Sequence, residues 1–347
     1  MSLELRPFGR TGLLVAELAL GTLTFGRETS EAESRQILDA YIEHGGNLLD
    51  TADVYGESET ILGRILGARR DEILIATKVG MPPYSPGAPR NNQGLSRHHI
   101  RNQIEASLRR LSTDHVDVYQ LHCWDPQTPP EETLSTLDDL VRAGKVRYIG
   151  LSNFAGWQVA GMLATARLHG FEPPVALSPQ YSLLERGYDR DLVGVCEAEG
   201  LAVLPYSPLG GGILTGKYRQ SGPPPSDSRA GRSSASTASV RRKLGDVRNH
   251  AIADAVRAIA RETSRSPAQV ALNWVSHRPT VTAPIIGARS LAQLQDNLGA
   301  GGWTLDPAHR QALDEVSKID LGYPHDWLQH YGLRGGPKPD REITGVS

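Results

Sequence analysis

The chain has 347 residues, of which 39% are hydrophobic and 22% are charged, and its formal net charge is −2 at pH 7. This is an ordinary globular composition, and without a basic tract neither nucleic acid nor an anionic membrane is an expected partner. Two cysteines, Cys123 and Cys196, form no disulfide framework or metal-ligand set, and no run of about 18 apolar residues occurs, so we expect a cytoplasmic protein with no metal and no membrane span.

Short apolar segments alternate along the chain with segments of helical periodicity. After an extended N-terminal stretch around a GRTG turn, which we predict to be a β-hairpin, the predicted strands are 18–21, 47–50, 73–78, 116–122, 146–152, 175–180, 201–207 and 282–287. Helices are predicted at 30–44, 96–111 and 266–278, each starting at a capping serine. Eight strands alternating with helices favour a (β/α)8 TIM barrel over a doubly wound open sheet, because no G-x-G-x-x-G motif follows any strand.

We expect a single domain over residues 1–347, interrupted by two long irregular segments. Residues 81–95 follow the third strand and residues 219–240 follow the seventh, and both are rich in proline, glycine and serine. In a barrel both lie on the C-terminal face, where active sites are found, so we interpret them as lids of a site. The tail, 321–347, is expected to add a helix that either folds over the site or packs on the barrel.

The segment after the seventh strand contains G-x-x-x-x-G-K at 211–217, which resembles a phosphate-binding P-loop. A P-loop requires serine or threonine as the next residue, because that hydroxyl binds Mg²⁺, whereas this chain has Tyr218. The sequence therefore argues against a nucleotide hydrolase. A glycine-rich loop still lets backbone N–H groups approach a pyrophosphate closely.

Six of the predicted strands end in hydrogen-bonding or ionisable residues, although an apolar strand needs no such terminus to fold. These residues are Asp50, Lys78, His122, Ser152–Asn153, Gln180 and Tyr206. Because the carboxyl ends of barrel strands meet on one rim, we expect these side chains to form a site.

The residue types at this rim indicate proton transfer to an oxygen. Tyr55 follows Asp50 by five residues, so the intervening loop can return its phenol to the rim. A buried Lys78 needs a partner, and Asp50 is the nearest candidate. The ammonium favours the phenolate, so we expect a lowered pKa that makes Tyr55 a usable acid, with His122 orienting a substrate carbonyl.

Protonation of a carbonyl oxygen is one half of a reduction, and the other half is a hydride from nicotinamide or flavin. Asn153 and Gln180 carry the donors and acceptors that a carboxamide needs, and Tyr206 offers a flat ring for stacking. With the glycine loop at 211–217, these residues predict a dinucleotide site.

These segments resemble the aldo-keto reductase family over nearly the whole chain. The shared motifs are GTLTFG (21–26), DTADVYG (50–56), TK (77–78), DVYQLH (117–122), GLSNF (150–154), SPQYSLL (178–184), PYSPLGGGILTGKY (205–218) and IIGARSLAQLQDNL (285–298). The sequence is similar in particular to the bacterial branch that neighbours the potassium-channel β-subunits. The resemblance implies the barrel and the NADPH-dependent reduction of a small aldehyde or ketone.

The resemblance also implies a role for each site residue: Tyr55 is the general acid, Asp50 and Lys78 tune it, and His122 orients the carbonyl. The implied cofactor positions are Gly21, Thr22, Ser152, Asn153, Gln180, Tyr206, Ser207, Leu209, Gly211, Leu214, Gly216, Lys217, Arg229, Gly287, Arg289, Gln293, Asp296 and Asn297. Ser290 is expected to cap the last helix of the motif.

One departure from the family pattern concerns the adenosine end. The better-known branch carries Lys-Ser at the start of the last motif and arginine in its middle, where this chain has Gly287–Ala288 and Gln293. Arg289 is then the residue left to pair a 2′-phosphate, which favours NADPH over NADH.

Several interpretations stay open at this point. Phe25 and Trp124 follow strands one and four, and they either shape the substrate pocket or pack within their loops. A Schiff-base aldolase acting through Lys78 is one alternative function, and a nucleotide-binding regulatory subunit with little turnover is another. No motif indicates which carbonyl compound is the substrate or whether the chain forms an oligomer.

Overall fold

The computed structural model describes residues 2–82, 89–218, 223–226, 228–231 and 235–331. In chain order, the strands are β1 (Leu5–Pro7), β2 (Leu14–Ala16), β3 (Ala19–Gly21), β4 (Leu48–Asp50), β5 (Leu74–Val79), β6 (Val116–Leu121), β7 (Val146–Ser152), β8 (Pro174–Ser178), β9 (Ala202–Val203) and β10 (Ile285–Gly287). The helices are α1 (Glu31–Glu43), α2 (Ser58–Leu66), α3 (Arg97–Leu111), α4 (Pro130–Arg142), α5 (Gly156–His169), α6 (Gly187–Asp191), α7 (Val193–Glu199), α8 (Ala235–Leu244), α9 (Val247–Glu262), α10 (Pro267–Ser276), α11 (Leu291–Leu298), α12 (Pro307–Ser317) and α13 (His325–Tyr331). Two 3₁₀ helices span Gly67–Glu72 and Gly210–Thr215.

Eight parallel strands form one sheet in the order β10-β3-β4-β5-β6-β7-β8-β9. Backbone hydrogen bonds join its two ends: the Val203 carbonyl accepts from the N–H of Thr282 at 2.9 Å, and the Pro205 carbonyl accepts from Ile285 at 2.8 Å. The sheet is therefore closed, with helices between successive strands, and the predicted (β/α)8 barrel is confirmed. None of the helices in the described part of the chain combines the length and apolar character that a bilayer crossing requires.

The N-terminal hairpin closes the lower end of the barrel. β1 and β2 pair antiparallel, and Ala16 on β2 donates its N–H to the Asn47 side-chain oxygen, just before β4 begins, at 2.8 Å. Phe8 and Val15 are fully buried, and they pack with residues of the barrel interior. The hairpin was predicted from the sequence, and it forms the floor beneath the site.

Alternation along the central strands places polar residues directly above an apolar interior. The inward-facing apolar residues of β4, β5 and β6 are Leu48, Ala76 and Val118. Two residues further along each strand, on the same face, stand Asp50, Lys78 and Gln120. The strand period thus raises three polar groups into one layer near the C-terminal rim.

Two segments differ most from their predicted boundaries. The strand predicted at 201–207 is regular only over β9, because Pro205 has no N–H to donate to the ladder. The loop predicted at 219–240 becomes helical at Ala235, where α8 begins. Parts of the predicted loops and tail, namely 83–88, 219–222, 227, 232–234 and 332–347, lie outside the described residues.

Candidate active site

A cavity of about 720 Å³ opens at the C-terminal ends of the strands. Its walls come from the segments that follow β3, β4, β5, β6, β7, β9 and β10. The volume lies within the range typical of small-molecule and cofactor sites. The C-terminal rim of the barrel is therefore where a ligand can bind.

Lys78 on β5 and Asp50 at the end of β4 form a buried ion pair at this cavity. The Lys78 ammonium donates to Asp50 Oδ1 at 2.5 Å and to the Thr51 carbonyl at 2.8 Å, and the two charged side chains are 3% and 6% exposed. Burial disfavours the ammonium, but the Asp50 carboxylate and the Tyr55 phenol outweigh it and raise the pKa of Lys78. Lys78 is therefore charged at neutral pH.

Tyr55 is held by the turn between β4 and α2. Its backbone N–H donates to the Ala52 carbonyl at 3.1 Å, and its own carbonyl accepts from Ser58 at 3.3 Å. The phenol is hydrogen-bonded to the Lys78 ammonium, whose nitrogen lies 5.1 Å from the ring centroid. The turn thus brings a phenol back over the buried ion pair.

His122, directly after β6, faces the same phenol. The Tyr55 and His122 ring centroids are 5.9 Å apart in an edge-on arrangement at 78°. Burial and then the positive charge of Lys78 lower the pKa of His122 to about 3, so the imidazole is neutral. Its Nδ1 is buried and has no hydrogen-bond partner among the described residues. A neutral imidazole keeps one ring N–H, which can donate to an oxygen placed between the rings.

Next to the Tyr55 phenol, the Asn153 amide and the Tyr206 phenol form a hydrogen-bonded part of the cavity wall. Tyr206 donates its hydroxyl to Asn153 Oδ1 at 2.7 Å, and Asn153 Nδ2 donates to the His122 carbonyl at 2.7 Å. Asn153 has φ +57°, a left-handed conformation that asparagine tolerates. Burial raises the pKa of Tyr206 to about 12. A polar amide edge therefore stands beside a neutral aromatic face.

The glycine loop after β9 forms the 3₁₀ helix Gly210–Thr215. Gly211 and Gly212 have φ +71° and +91°, which other residues adopt only with strain. A Cβ at Gly211 would lie 2.7 Å from Val240 Cγ2 on α8. Glycine here allows α8 to pack against the loop, and the loop's other side lines the cavity.

The cavity wall on the β10 side is built around the start of α11. Ser290 caps the helix by accepting the Gln293 N–H at 3.3 Å, as predicted. The Arg289 N–H donates to Gln293 Oε1 at 3.0 Å, and Asn297 Nδ2 donates to the Gly287 carbonyl at 3.2 Å. Besides the Lys78–Asp50 pair, the cavity is lined by the basic residues Arg289, Lys217 and Arg229 and by the acidic residues Glu28 and Asp296. The walls therefore carry an excess of one positive charge, which favours an anionic ligand.

Most of the predicted site positions line this cavity. Those that do are Asp50, Tyr55, Lys78, His122, Gly21, Ser152, Asn153, Tyr206, Ser207, Leu209, Gly211, Lys217, Arg229, Gly287, Arg289, Gln293, Asp296 and Asn297. The predicted positions that lie off its walls are Thr22, Phe25, Trp124, Gln180, Leu214 and Gly216.

Burial explains why several of these positions stay off the walls. Thr22, Phe25 and Leu214 have no exposed surface. The Thr22 hydroxyl is used internally, donating to the Asp50 carbonyl at 3.1 Å. Trp124 instead packs edgewise on Phe154, with ring centroids 5.4 Å apart. In this conformation Phe25 belongs to the apolar core behind the rim and does not contact the cavity.

The structure also brings to this site residues that were not predicted from the sequence. Gln120 is fully buried, and its amide donates to Asp50 Oδ2 at 3.0 Å, which fixes the second oxygen of that carboxylate. Gln120 lies two residues before His122 on the same face of β6, and this spacing could have predicted that it faces the site. Met81, Leu23 and Cys123 line the cavity and add apolar surface.

The fold and this site together define a barrel oxidoreductase that acts on carbonyl compounds. The chain belongs to the Aldo/keto reductase family, whose sequence profile matches residues 17–318. Enzymes of this family generally use nicotinamide cofactors.

Individual relatives extend over nearly the same length. The chain is 36% identical over 324 residues to an uncharacterized oxidoreductase, YrpG, of Bacillus subtilis, covering 90% of this chain and 96% of that one. It is 31% identical to norsolorinic acid reductase of Aspergillus flavus, covering 91% and 81% of the two chains. It is 33% identical to a probable voltage-gated potassium channel subunit beta of Arabidopsis thaliana, covering 86% and 91%.

Proposed function

We propose that the protein reduces an aldehyde or ketone to the corresponding alcohol, with NADPH as the reductant and Tyr55 as the general acid. The observation that carries this proposal is the Tyr55 phenol bonded to the buried Lys78–Asp50 pair and facing the neutral His122. Such an assembly delivers a proton to an oxygen and has no nucleophile paired with a base.

The residues of the cavity fit a nicotinamide dinucleotide. Ser152 and Asn153 would bind its carboxamide and Tyr206 would stack on its ring. The loop at 207–217 would follow the pyrophosphate, and Arg229, Arg289, Gln293, Asp296 and Asn297 would hold the adenosine end. The glycine loop with its positive φ angles and the basic residues Lys217, Arg229 and Arg289 on the cavity wall support this assignment. When bound, NADPH supplies the hydride that is added to the carbonyl carbon.

The chain's own residues manage the proton and the developing charge. His122 donates its ring N–H to the carbonyl oxygen and orients it. Tyr55 transfers its proton to that oxygen as negative charge develops there. The Lys78 ammonium stabilises the phenolate left behind, and Asp50 keeps the ammonium charged and in place. The oxygen ends as a hydroxyl, and Tyr55 recovers its proton from solvent.

The aldolase alternative conflicts with the electrostatics of Lys78. A Schiff base forms from a neutral amine, so such a lysine needs a lowered pKa. Here the Asp50 carboxylate and the Tyr55 phenol overcome the effect of burial and raise the pKa of Lys78. The amine is protonated and is the wrong species for nucleophilic attack.

Replacement of Tyr55 by phenylalanine tests the proposal. We expect Tyr55→Phe to lower kcat about 10²–10⁴-fold, the usual contribution of a positioned acid, and to leave the Kd for NADPH, measured by fluorescence titration, within about twofold. Tyr323→Phe is the matched control, because it also removes one phenol hydroxyl, but from a side chain that is 87% exposed and lies off the cavity walls. Wild-type-like turnover by Tyr55→Phe with a panel of aldehydes would show that another group is the acid.

Cofactor preference is tested separately at Arg289. Removing a guanidinium that pairs with a phosphate costs about 1.5–3 kcal/mol, so Arg289→Ala should weaken NADPH binding about 10–100-fold. NADH, which has no 2′-phosphate, should lose less than about threefold. Arg261→Ala, on the exposed part of α9, should change neither. Equal losses for both cofactors would contradict the assignment of Arg289.

A further inference from the structure

A buried polar cluster lies outside the barrel, directly behind the turn that carries Tyr55. Glu59 on α2 is 1% exposed, accepts the Thr77 hydroxyl at 2.6 Å and pairs with Arg110 on α3 at 2.7 Å. Tyr119 on β6 faces the same cluster, and its fully buried hydroxyl has no partner among the described residues. None of these groups takes part in the proton transfer proposed above.

Asp53 is the member of the cluster that belongs to the Tyr55 turn. One of its carboxyl oxygens, Oδ1, is buried and has no hydrogen-bond partner among the described residues. Its backbone N–H donates to the carbonyl of Lys78 at 3.3 Å. The side chain of Gln103 on α3 interacts with the same carboxyl. Asp53 therefore ties the turn both to the strand that carries Lys78 and to the outer helix layer.

The charges around Asp53 do not balance when its carboxyl is ionised. Glu59 from α2 and Tyr119 from β6 are acidic groups, and Arg110 from α3 is the cation that acts most strongly on Asp53. Arg110 is already paired with Glu59. Two buried carboxylates that share one guanidinium favour the retention of a proton on one of them. Accordingly, burial and then the Glu59 charge raise the pKa of Asp53 to about 7.

We propose that Asp53 is a positioning residue for Tyr55, and that loss of its carboxyl proton displaces the Tyr55 turn and lowers turnover at alkaline pH. The proposal rests on the proposed function, since it makes the acid's placement depend on a second proton. Ionisation places a second negative charge beside Glu59, and the repulsion is relieved by moving the Asp53 side chain toward solvent. Tyr55, two residues away, then loses its alignment with Lys78.

The pH dependence of kcat in Asp53→Asn, a neutral side chain of nearly the same shape, tests this. For a carboxyl that titrates near 7, the protonated fraction falls about tenfold between about pH 6 and about pH 8. The ratio of kcat in Asp53→Asn to kcat in the wild type should therefore rise about tenfold over that interval. Glu57→Gln removes an exposed carboxylate from the same turn, and its pH profile should match the wild type. Parallel profiles for Asp53→Asn and wild type would overturn the proposal.

A second measurement is independent of catalysis. In protein labelled with 3-fluorotyrosine, the ¹⁹F signal of Tyr55, assigned through Tyr55→Phe, should shift as the pH passes about 7 in the wild type and stay fixed in Asp53→Asn. If Asp53→Asn does not fold, Asp53→Ser gives the same comparison. Absence of turnover at every pH with a pH-dependent Tyr55 signal would reject the proposed function alone. A pH-independent signal in the wild type would reject the role of Asp53.

Discussion

A single buried ammonium changes the chemistry of the residues around it. The Lys78 charge helps to lower the pKa of His122 to about 3 while it hydrogen-bonds the Tyr55 phenol. The same charge is maintained by Asp50, whose two oxygens are fixed by Lys78 and Gln120. The protonation states of Lys78 and His122 are consequently set by burial and by neighbouring charges.

The first residue-level prediction concerns the protonation of His122. The pKa of His122 is about 3 in the folded protein, whereas an unperturbed histidine has a pKa of 6.5. The imidazole should therefore stay neutral from about pH 5 to about pH 8. Its ring ¹⁵N chemical shifts should then be constant over that range, while those of free histidine in the same buffer change. A His122 midpoint near 6.5 would contradict the prediction.

The lowered pKa of His122 also determines how the free energy of unfolding changes with pH. A histidine whose pKa is lowered by folding binds more protons in the unfolded state between about pH 3 and about pH 6.5. Its contribution to the free energy of unfolding is therefore present above about 6.5 and is lost as the pH falls toward 3. Urea unfolding of His122→Gln should show a shallower loss of stability over this interval than the wild type does.

A second residue-level prediction concerns the buried ion pair. Asp50→Ala leaves the Lys78 ammonium buried without its counter-charge, which should reduce the free energy of unfolding by about 3–5 kcal/mol. The control is Asp139→Ala, because Asp139 pairs with Arg101 where both side chains are about half exposed, and its loss should cost less than about 1 kcal/mol. Similar losses in urea unfolding for both variants would contradict the prediction.

At the level of elements, α8 and the glycine loop illustrate what the sequence could and could not predict. The strands, the hairpin and the helices capped by Ser30, Ser96 and Ser266 follow from local patterns, and the structure confirms them. The α8 segment is rich in serine and threonine, which are weak helix formers. The helix packs through Val240 against Gly211, a contact between segments distant in sequence that local patterns do not encode.

In the site, too, some features follow from local sequence and others depend on packing between distant segments. The positions of Asp50 and Lys78 at the ends of neighbouring predicted strands indicated that they share a rim, and the structure contains the expected buried pair. The clustering of Asp53, Glu59, Arg110 and Tyr119 was not predictable from spacing, because it depends on how α2 and α3 pack over β6. Likewise, Phe25 has no surface on the cavity because its loop turns inward, which local sequence does not encode.

An element-level prediction follows from the Gly211–Val240 contact. Gly211→Ala adds a Cβ 2.7 Å from Val240 Cγ2 at φ +71°, so it should destabilise the protein by about 1–2 kcal/mol or more and weaken NADPH binding. Gly211→Ala combined with Val240→Ala removes the clash and should recover part of the cofactor affinity. Gly161→Ala, in open space on α5, should be neutral or stabilising by up to about 1 kcal/mol. The absence of any coupling in this double-mutant cycle would show that the two residues do not act through their contact.

At the scale of the whole molecule, the proposed cofactor site spans the seam where the barrel closes. Tyr206 and Lys217 follow β9, whereas Arg289 and Gln293 follow β10, and these two strands form the ends of the sheet order. The seam is held by a few backbone bonds around Val203 and Pro205. A ligand that contacts both sides would therefore reinforce the least extensively paired junction of the barrel.

This arrangement predicts a global and a local effect of NADPH. At a concentration about 100 times its Kd, NADPH should raise the free energy of unfolding by about 2.7 kcal/mol. Amide hydrogen exchange should slow more at residues 203–206 and 282–287 than along β6 and β7, whose ladder is longer. Tyr55→Phe should show the same protection as the wild type. Uniform protection of all strands would argue against a ligand that bridges the seam.

The apolar floor of the barrel has a consequence for how Tyr55 would regain its proton. Beneath Lys78 the described part of the interior is filled by Phe8, Val15 and a layer of small and branched apolar residues. These residues offer water no polar path to Tyr55 from the hairpin side. On the proposed mechanism, the proton that Tyr55 gives up in each cycle would therefore return through the cavity mouth. A product that still lies over the phenol blocks that path, and exchange of the Tyr55 proton with bulk water has to wait until the mouth is clear.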